Sequence, residues 1–319
     1  MTLFYRIATA VVAAGLVSAA HAQTWPAKPI HAFIPFGAGS ATDIVPRTVF
    51  DALSAELGQQ IIVENRGGAG GTVGVGAVVR AAPDGYTILA NSSAHTIGPW
   101  IVPNVPYDVA KDLSGALMIG QNANVMMVKP ERGWKTAQDF IAYAKANAGK
   151  VNFGSAGVGT ATHISGERFR LAAGFQATHV PYKGGAEALT DLLGGRIDFY
   201  FCPISTALPY IHDGRLVPLV VSTPTRASDL PKVPTPRDVG LANAETIVWY
   251  AVFMPSKTPR DVLEKFYAAA QKVLATPAMQ EKLKKLAVDP MPMTPAEIDK
   301  FVVSDLANNK RLIDAAGIK

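Results

Sequence analysis

The stretch that most constrains this chain is Val151 to Glu167, VNFGSAGVGTATHISGE. It reads as a short apolar strand through Val151 and Phe153, a glycine-rich turn, and a helix starting near Thr160 to Thr162. Gly154, Gly157 and Gly159 let backbone N–H groups line a concave surface, because glycine adopts positive φ without steric cost. Ser155, Thr160, Thr162 and His163 surround that surface with hydroxyls and an imidazole. A helix start offers unpaired N–H groups and partial positive charge, which suits a carboxylate or a phosphate. The spacing also fits an ordinary strand–helix turn that binds nothing. Three other readings fail. A nucleophile elbow needs G-x-S-x-G, and Phe153 occupies the first glycine position. A dinucleotide loop needs a third glycine after Gly157 and Gly159, and a P-loop needs Gly-Lys-Ser/Thr; the sequence has neither.

The same logic recurs earlier. Ile30 to Phe36 is an apolar run, Gly37 to Ser40 turns the chain, and Val45, Val49, Leu53 and Leu57 form the stripe of a helix from about Asp43 to Leu57. Pro46 suits only a position near a helix start, which predicts a cap at Thr42 or Asp43. Gln60 to Asn65 reads as a strand, a glycine-rich segment to Gly76 leads into a helix through Val78 to Ala82, and Tyr86 to Ala90 is a strand ending in Asn91-Ser92-Ser93. Further strands are expected at Asn124 to Lys129, Ala177 to Pro181, Ile197 to Cys202, Leu216 to Ser222 and Ile247 to Met254. Helices are expected at Thr136 to Ala146 and Ala186 to Leu193, and also through Leu208 and Ile211, near Phe266 and near Phe301. Alternating strands and helices predict parallel-type α/β sheets with ligands at the carboxyl ends of strands. Two similar halves joined by two strand crossings predict one lobe from 23–124 plus 251–319 and a second from 125–250.

Met1 to Ala22 reads as a secretory signal: Arg6, an apolar segment from Ile7 to Val17, then Ala20-His21-Ala22 as cleavage site. An exported chain starting at Gln23 follows. Cys202 is the only cysteine, so no disulfide within the chain is possible. The net charge of +5 is scattered, which argues against nucleic-acid binding and leaves a mildly basic receptor for an anionic small molecule as a suitable reading.

Together the segments WPAKPIHAFIPFGAGSATD, VENRGGAGG, VRAAPDGYT, VNFGSAGVGTATH, HVPYKGGAEALTDLLGGRIDFYF and the terminal AGIK resemble one family. It is the Bug-type solute receptors of tripartite tricarboxylate transporters, and the likeness covers essentially the whole mature chain. The resemblance implies a two-lobe periplasmic binding protein of type II, a Venus flytrap with a double-strand hinge. It further implies no catalysis, no cofactor and no metal, a small organic carboxylate as ligand, integral membrane transporter subunits as partners, and a monomer in the periplasm. The ligand loops it implies are Phe36, Gly37, Ala38, Gly39, Ser40 and Asp43 in one lobe and Ser155, Ala156, Gly157, Gly159, Thr160, Thr162 and His163 in the other. Ser92 and Ser93 lie nearby. Ser40 replaces a usual glycine, and Cys202-Pro203 stands where relatives often carry Asp-Asn facing the cleft, which points to a more apolar distal pocket.

Taken singly, Asp43 reads as a loop-orienting cap, His163 as a ligand contact or a helix cap, and Cys202 as a small buried hydrophobe. Trp249 and Tyr250 read as core. His95, His179 and His212 look isolated, and His163 with Glu167 is only half a metal site. Two other functions compete with transport: a secreted hydrolase using Ser155 with His163, and a carboxylate sensor presenting its closed form to a signalling partner.

Overall fold

The structure, a computed structural model, describes residues 25–318. The expected leader and its cleavage site lie outside these residues. The chain begins with β1 (Ile30–Ile34), α1 (Ala41–Leu57), β2 (Ile61–Asn65), α2 (Thr72–Val79), β3 (Thr87–Ser92), α3 (Ala94–Ile101), α4 (Val109–Asp112) and β4 (Leu113–Asn122). It continues with β5 (Asn124–Val128), α5 (Ala137–Ala146), β6 (Asn152–Ser155), α6 (Ala161–Ala173), β7 (Thr178–Pro181), α7 (Gly185–Leu193), β8 (Phe199–Pro203), α8 (Ile204–His212) and β9 (Val217–Val221). It closes with β10 (Val248–Pro255), α9 (Arg260–Leu274), α10 (Pro277–Lys285) and α11 (Pro295–Ala316).

Two five-stranded sheets result, ordered β2-β1-β3-β10-β4 and β7-β6-β8-β5-β9. Each is covered on both faces, as a largely parallel sheet requires. In the first lobe, Ile30, Ala32 and Ile34 pack beneath α1 and α9 through Phe50, Leu53 and Phe266. Leu89, Trp249 and Phe253 pack on the other face against Val75, Ile298 and Val302. In the second lobe, Phe153, Phe199 and Phe201 meet Phe140 and Phe169 on one face, while Tyr200 and Cys202 meet Leu189 and Leu192 on the other. Each such phenylalanine, fully buried, contributes about 1.5–3 kcal/mol.

The pairing register fixes where function can sit. Strand β10 runs antiparallel to β3 and β4, with Tyr250 opposite Ser92 and Val248 opposite Asn122. Strand β5 runs antiparallel to β8, with Asn124 opposite Pro203. Both chain crossings therefore lie at the carboxyl ends of the parallel strands in both sheets, and the loops after β1, β3, β6 and β8 flank the junction. Ser222 clamps the crossings together: its N–H donates to Asn124 O (2.7 Å) and its hydroxyl to Thr246 O (2.7 Å).

Several expectations need correction. The two apolar strands do not themselves cross: β5 belongs wholly to the second sheet and β10 to the first. The return precedes residue 251, because Val248 to Tyr250 already pair with β4. Helix α1 starts at Ala41 with Ser40 as N-cap, so Pro46 lies inside it. Proline has no N–H, so Thr42 O loses the i+4 donor that Pro46 would otherwise supply. Helix α2 starts at Thr72, within the glycine-rich segment rather than after it. Strand β4 and helix α3 are elements beyond those expected from the sequence.

Candidate functional site

The turn after β6 is held by its own side chains. Ser155, fully buried, accepts from Gly157 N–H (3.1 Å) and contacts His179 Nε2 at 2.6 Å. Ala156 N–H donates to Thr162 Oγ1 (2.9 Å), and Gly159 N–H to His163 Nδ1 (3.1 Å). Thr160 N-caps α6 by accepting from His163 N–H and donates to Gly157 O at 2.7 Å. With Nδ1 accepting, the proton of a neutral His163 sits on Nε2, which lies 3.8 Å from Glu167 Oε1. Glu167 in turn pairs with Arg170 at 2.5 Å. The His163 ring stacks on His179 at 3.7 Å between centroids. Burial, then the charges of His179 and Arg170, lower the His163 pKa to about 3. Burial lowers that of His179 to about 4. Both rings are neutral struts at ordinary pH.

The loop after β1 is built around Asp43. Its carboxylate accepts from Gly39 N–H (2.9 Å), Asn65 Nδ2 (2.9 Å) and Arg47 Nη2 (2.6 Å). Burial alone would raise its pKa, but the hydrogen bonds from Arg47, Asn65 and Gly39 outweigh that and hold it low. Asn65 also donates to Phe36 O (3.0 Å), and Ser40 N–H reaches Gly37 O (3.3 Å). Ala38 sits exposed beside Gly37.

The expected donors are thus mostly engaged inside their own loops. Gly39, Ala156, Gly157 and Gly159 hold the turns. Asp43 and His163 orient them, with both Asp43 oxygens and His163 Nδ1 taken up inside the loops. What remains is the first turn of each following helix. Ala41 and Thr42 N–H at the head of α1, and Ala161 and Thr162 N–H at the head of α6, have no acceptor among the described residues. The Ser40 hydroxyl beside the first pair is buried and unpartnered. Ser92 and Ser93 are buried where β3 meets β10, with Ser93 N–H donating to Trp249 O (3.0 Å).

Two residues sit differently from expectation. Cys202 does not face the cleft. It is fully buried among Tyr200, Val125 and Ile204, and burial pushes its thiol up to about 12. Pro203 is half-buried and opens α8, so only this second member of the pair borders the junction. In sequence His179 looks isolated, yet β7 pairs with β6 so that His179 lies opposite Phe153, beside Ser155. Only the parallel register reveals it. The hydrolase reading fails on the same geometry, since Ser155 meets His179 rather than His163. No carboxylate among the described residues hydrogen-bonds His179 to orient it, as a triad needs. No cluster of His, Cys, Asp and Glu among them could hold a metal.

The sequence matches the family described as "Tripartite tricarboxylate transporter family receptor" over residues 45–318. The chain belongs to that family. The receptor is 30% identical to Protein BugT of Bordetella pertussis, across 97% of this chain and 95% of that one. It superposes on Rpa4515 of R. palustris with adipate at a TM-score of 0.80 and 26% identity, covering 92% of this chain and 98% of that one. It superposes also on MatC of Rhodopseudomonas palustris with bound malate at 0.77 and 26% identity, covering 91% and 100%. The receptor is accordingly a two-lobe α/β solute-binding protein and not an enzyme.

Proposed function

We propose that this receptor, exported by a leader ending at Ala22, works in the periplasm as a monomer. It captures a small organic carboxylate there and delivers it to the membrane subunits of its transporter. The observation that carries the reading is the pair of open helix heads, Ala41–Thr42 and Ala161–Thr162, on the two sides of the chain crossing. Each offers two N–H donors and the positive end of a helix to an anion. Ser40 Oγ adds a donor at the first head, and Ser92, Ser93 and Pro203 border the space between. That similar structures hold the dicarboxylates adipate and malate supports two opposed seats.

Calorimetry tests the seat with adipate and adipamide, its diamide, on the mature protein and on Ala161→Asp. An aspartate at the first helical position suits the helix but places a fixed negative charge where the ligand carboxylate would sit. The diacid is expected to bind, the diamide to bind at least a hundredfold more weakly, and the variant to lose the diacid. Equal affinity for acid and diamide, or undiminished binding by the variant, would overturn the reading.

A further inference from the structure

Helix α6 carries the candidate carboxylate turn at its head and Arg168 further along. Arg168 Nη2 donates to Asn309 Oδ1 of α11 at 2.9 Å. Its Nε is shut off from solvent and has no hydrogen-bond partner among the described residues. Among the described residues no carboxylate forms an ion pair with it. Asp305 and Glu245 act on it only from a distance. The Asp305 carboxylate instead accepts from Thr96, Trp249 and Asn309. A guanidinium withdrawn from water without a counter-ion is unfavourable, and a bound anion relieves it.

Arg168 also lines an open recess of about 550 Å³ whose walls come from both lobes. Arg237, Asn243 and Glu245 face it from the second lobe, ahead of the return to β10; Asn308 and Arg311 face it from α11. Among the described residues the only carboxylate lining it, Glu245, is taken by Arg237 at 2.8 Å. Among them, too, Arg311 meets only the amide oxygen of Asn308, at 2.6 Å. Three guanidinium groups thus converge on a space containing one neutralised carboxylate, and guanidinium forks match oxyanions in shape and charge.

We infer that this recess is a second anion site, taking a small multivalent oxyanion that bridges Arg168 and Arg311. Occupancy ties α6 of one lobe to α11 of the other. The site stands apart from the helix heads and does not depend on what they bind.

Thermal unfolding of the mature protein in inorganic phosphate, against chloride at equal ionic strength, tests it. Phosphate should raise the melting temperature saturably. Arg168→Met should abolish that rise. Arg311→Gln, at an exposed position that leaves the fold intact, should weaken the apparent phosphate affinity at least tenfold. Ala161→Asp, which blocks the cleft, should leave the rise in place. The inference is overturned if phosphate acts no differently from chloride, or if the rise persists unchanged in both arginine variants. It is also overturned if the rise disappears in Ala161→Asp, which would assign phosphate to the cleft.

Discussion

Gly159 is where the candidate turn after β6 of one lobe rests on the other, and replacing it gives a worked test of that contact. Its φ is 77°, and a Cβ added there would lie 2.4 Å from Ile101 Cδ1 at the end of α3. Gly159→Ala therefore carries two separable penalties. Placing an L-residue in the left-handed region costs about 1–2 kcal/mol. Overpacking against Ile101 costs about 1–3 kcal/mol, less whatever the flexible methyl end yields. The single variant should thus lose roughly 2–4 kcal/mol. Ile101→Val removes the offending Cδ1 atom alone, and Ile101 is only half-buried, so it should cost under about 1 kcal/mol. In the double variant the overpacking disappears and the backbone strain remains. Urea unfolding of the four proteins should therefore give a favourable coupling of about 1–2 kcal/mol. Additivity within about 0.5 kcal/mol would show that the turn does not lean on α3 and would refute the interlobe contact.

Three further outcomes follow from the site. His163 and His179 have folded pKa values of about 3 and about 4, below the ordinary 6.5. The unfolded chain thus takes up protons first, and stability should fall as pH drops from about 6.5 toward 4, by up to ~1.4 kcal/mol per pH unit for each ring. His179→Gln should flatten that slope in pH-dependent urea titrations; an unchanged slope would count against buried neutral rings. Asp43→Asn removes the charge that Arg47 and the Gly39 N–H group meet, and should cost about 1.5–3 kcal/mol at pH 7. Because the folded Asp43 pKa is depressed, that difference should begin to shrink as pH falls below about 4, the unfolded value, and vanish only below the folded one; a penalty that stays constant with falling pH would refute the carboxylate's role. Cys202, fully buried with its thiol raised to about 12, should resist Ellman's reagent in the native state and react on unfolding. Stoichiometric native labelling would place it in the cleft after all.

The glycine turns and most strands were legible because apolar runs ending in Gly or Pro are local signals. Strand β4 was not, since LSGALMIGQN carries two glycines that only tertiary packing explains. A Cβ at Gly115 would meet Ile298 Cγ2 at 2.3 Å, and one at Gly120 would meet Asp289 O at 2.6 Å. Helix α3 was hidden by Gly98 and Pro99 within it. The facing of Cys202 was misread because β8 is buried on both sides. Phe199 and Phe201 enter one core, Tyr200 and Cys202 the other, so alternation carries no polarity signal. The two candidate loops can be read from the sequence, but which of their N–H groups remain free depends on side chains closing back on their own turns. Gly39 to Asp43 and Gly159 to His163 are each four residues apart, yet spacing does not say whether such a contact forms.

The position of β10 sets an order of assembly. It lies between β3 and β4, so the first sheet cannot be completed until the chain has passed through the whole second lobe and returned at Val248. The second sheet, by contrast, is formed from one continuous run of chain, β5 to β9. A nascent chain that ends before Val248 can fold the later lobe while the earlier one waits, with the flanks of β3 and β4 open to other strands. Closing that gap means bringing Val248 to Asn122, a distant contact in sequence whose entropy is reduced once the intervening lobe is compact. The last-made part of the polypeptide is therefore the part that completes the first-made lobe. Shortening the chain from its carboxyl end should expose the amino-terminal half to aggregation before it harms the lobe in between.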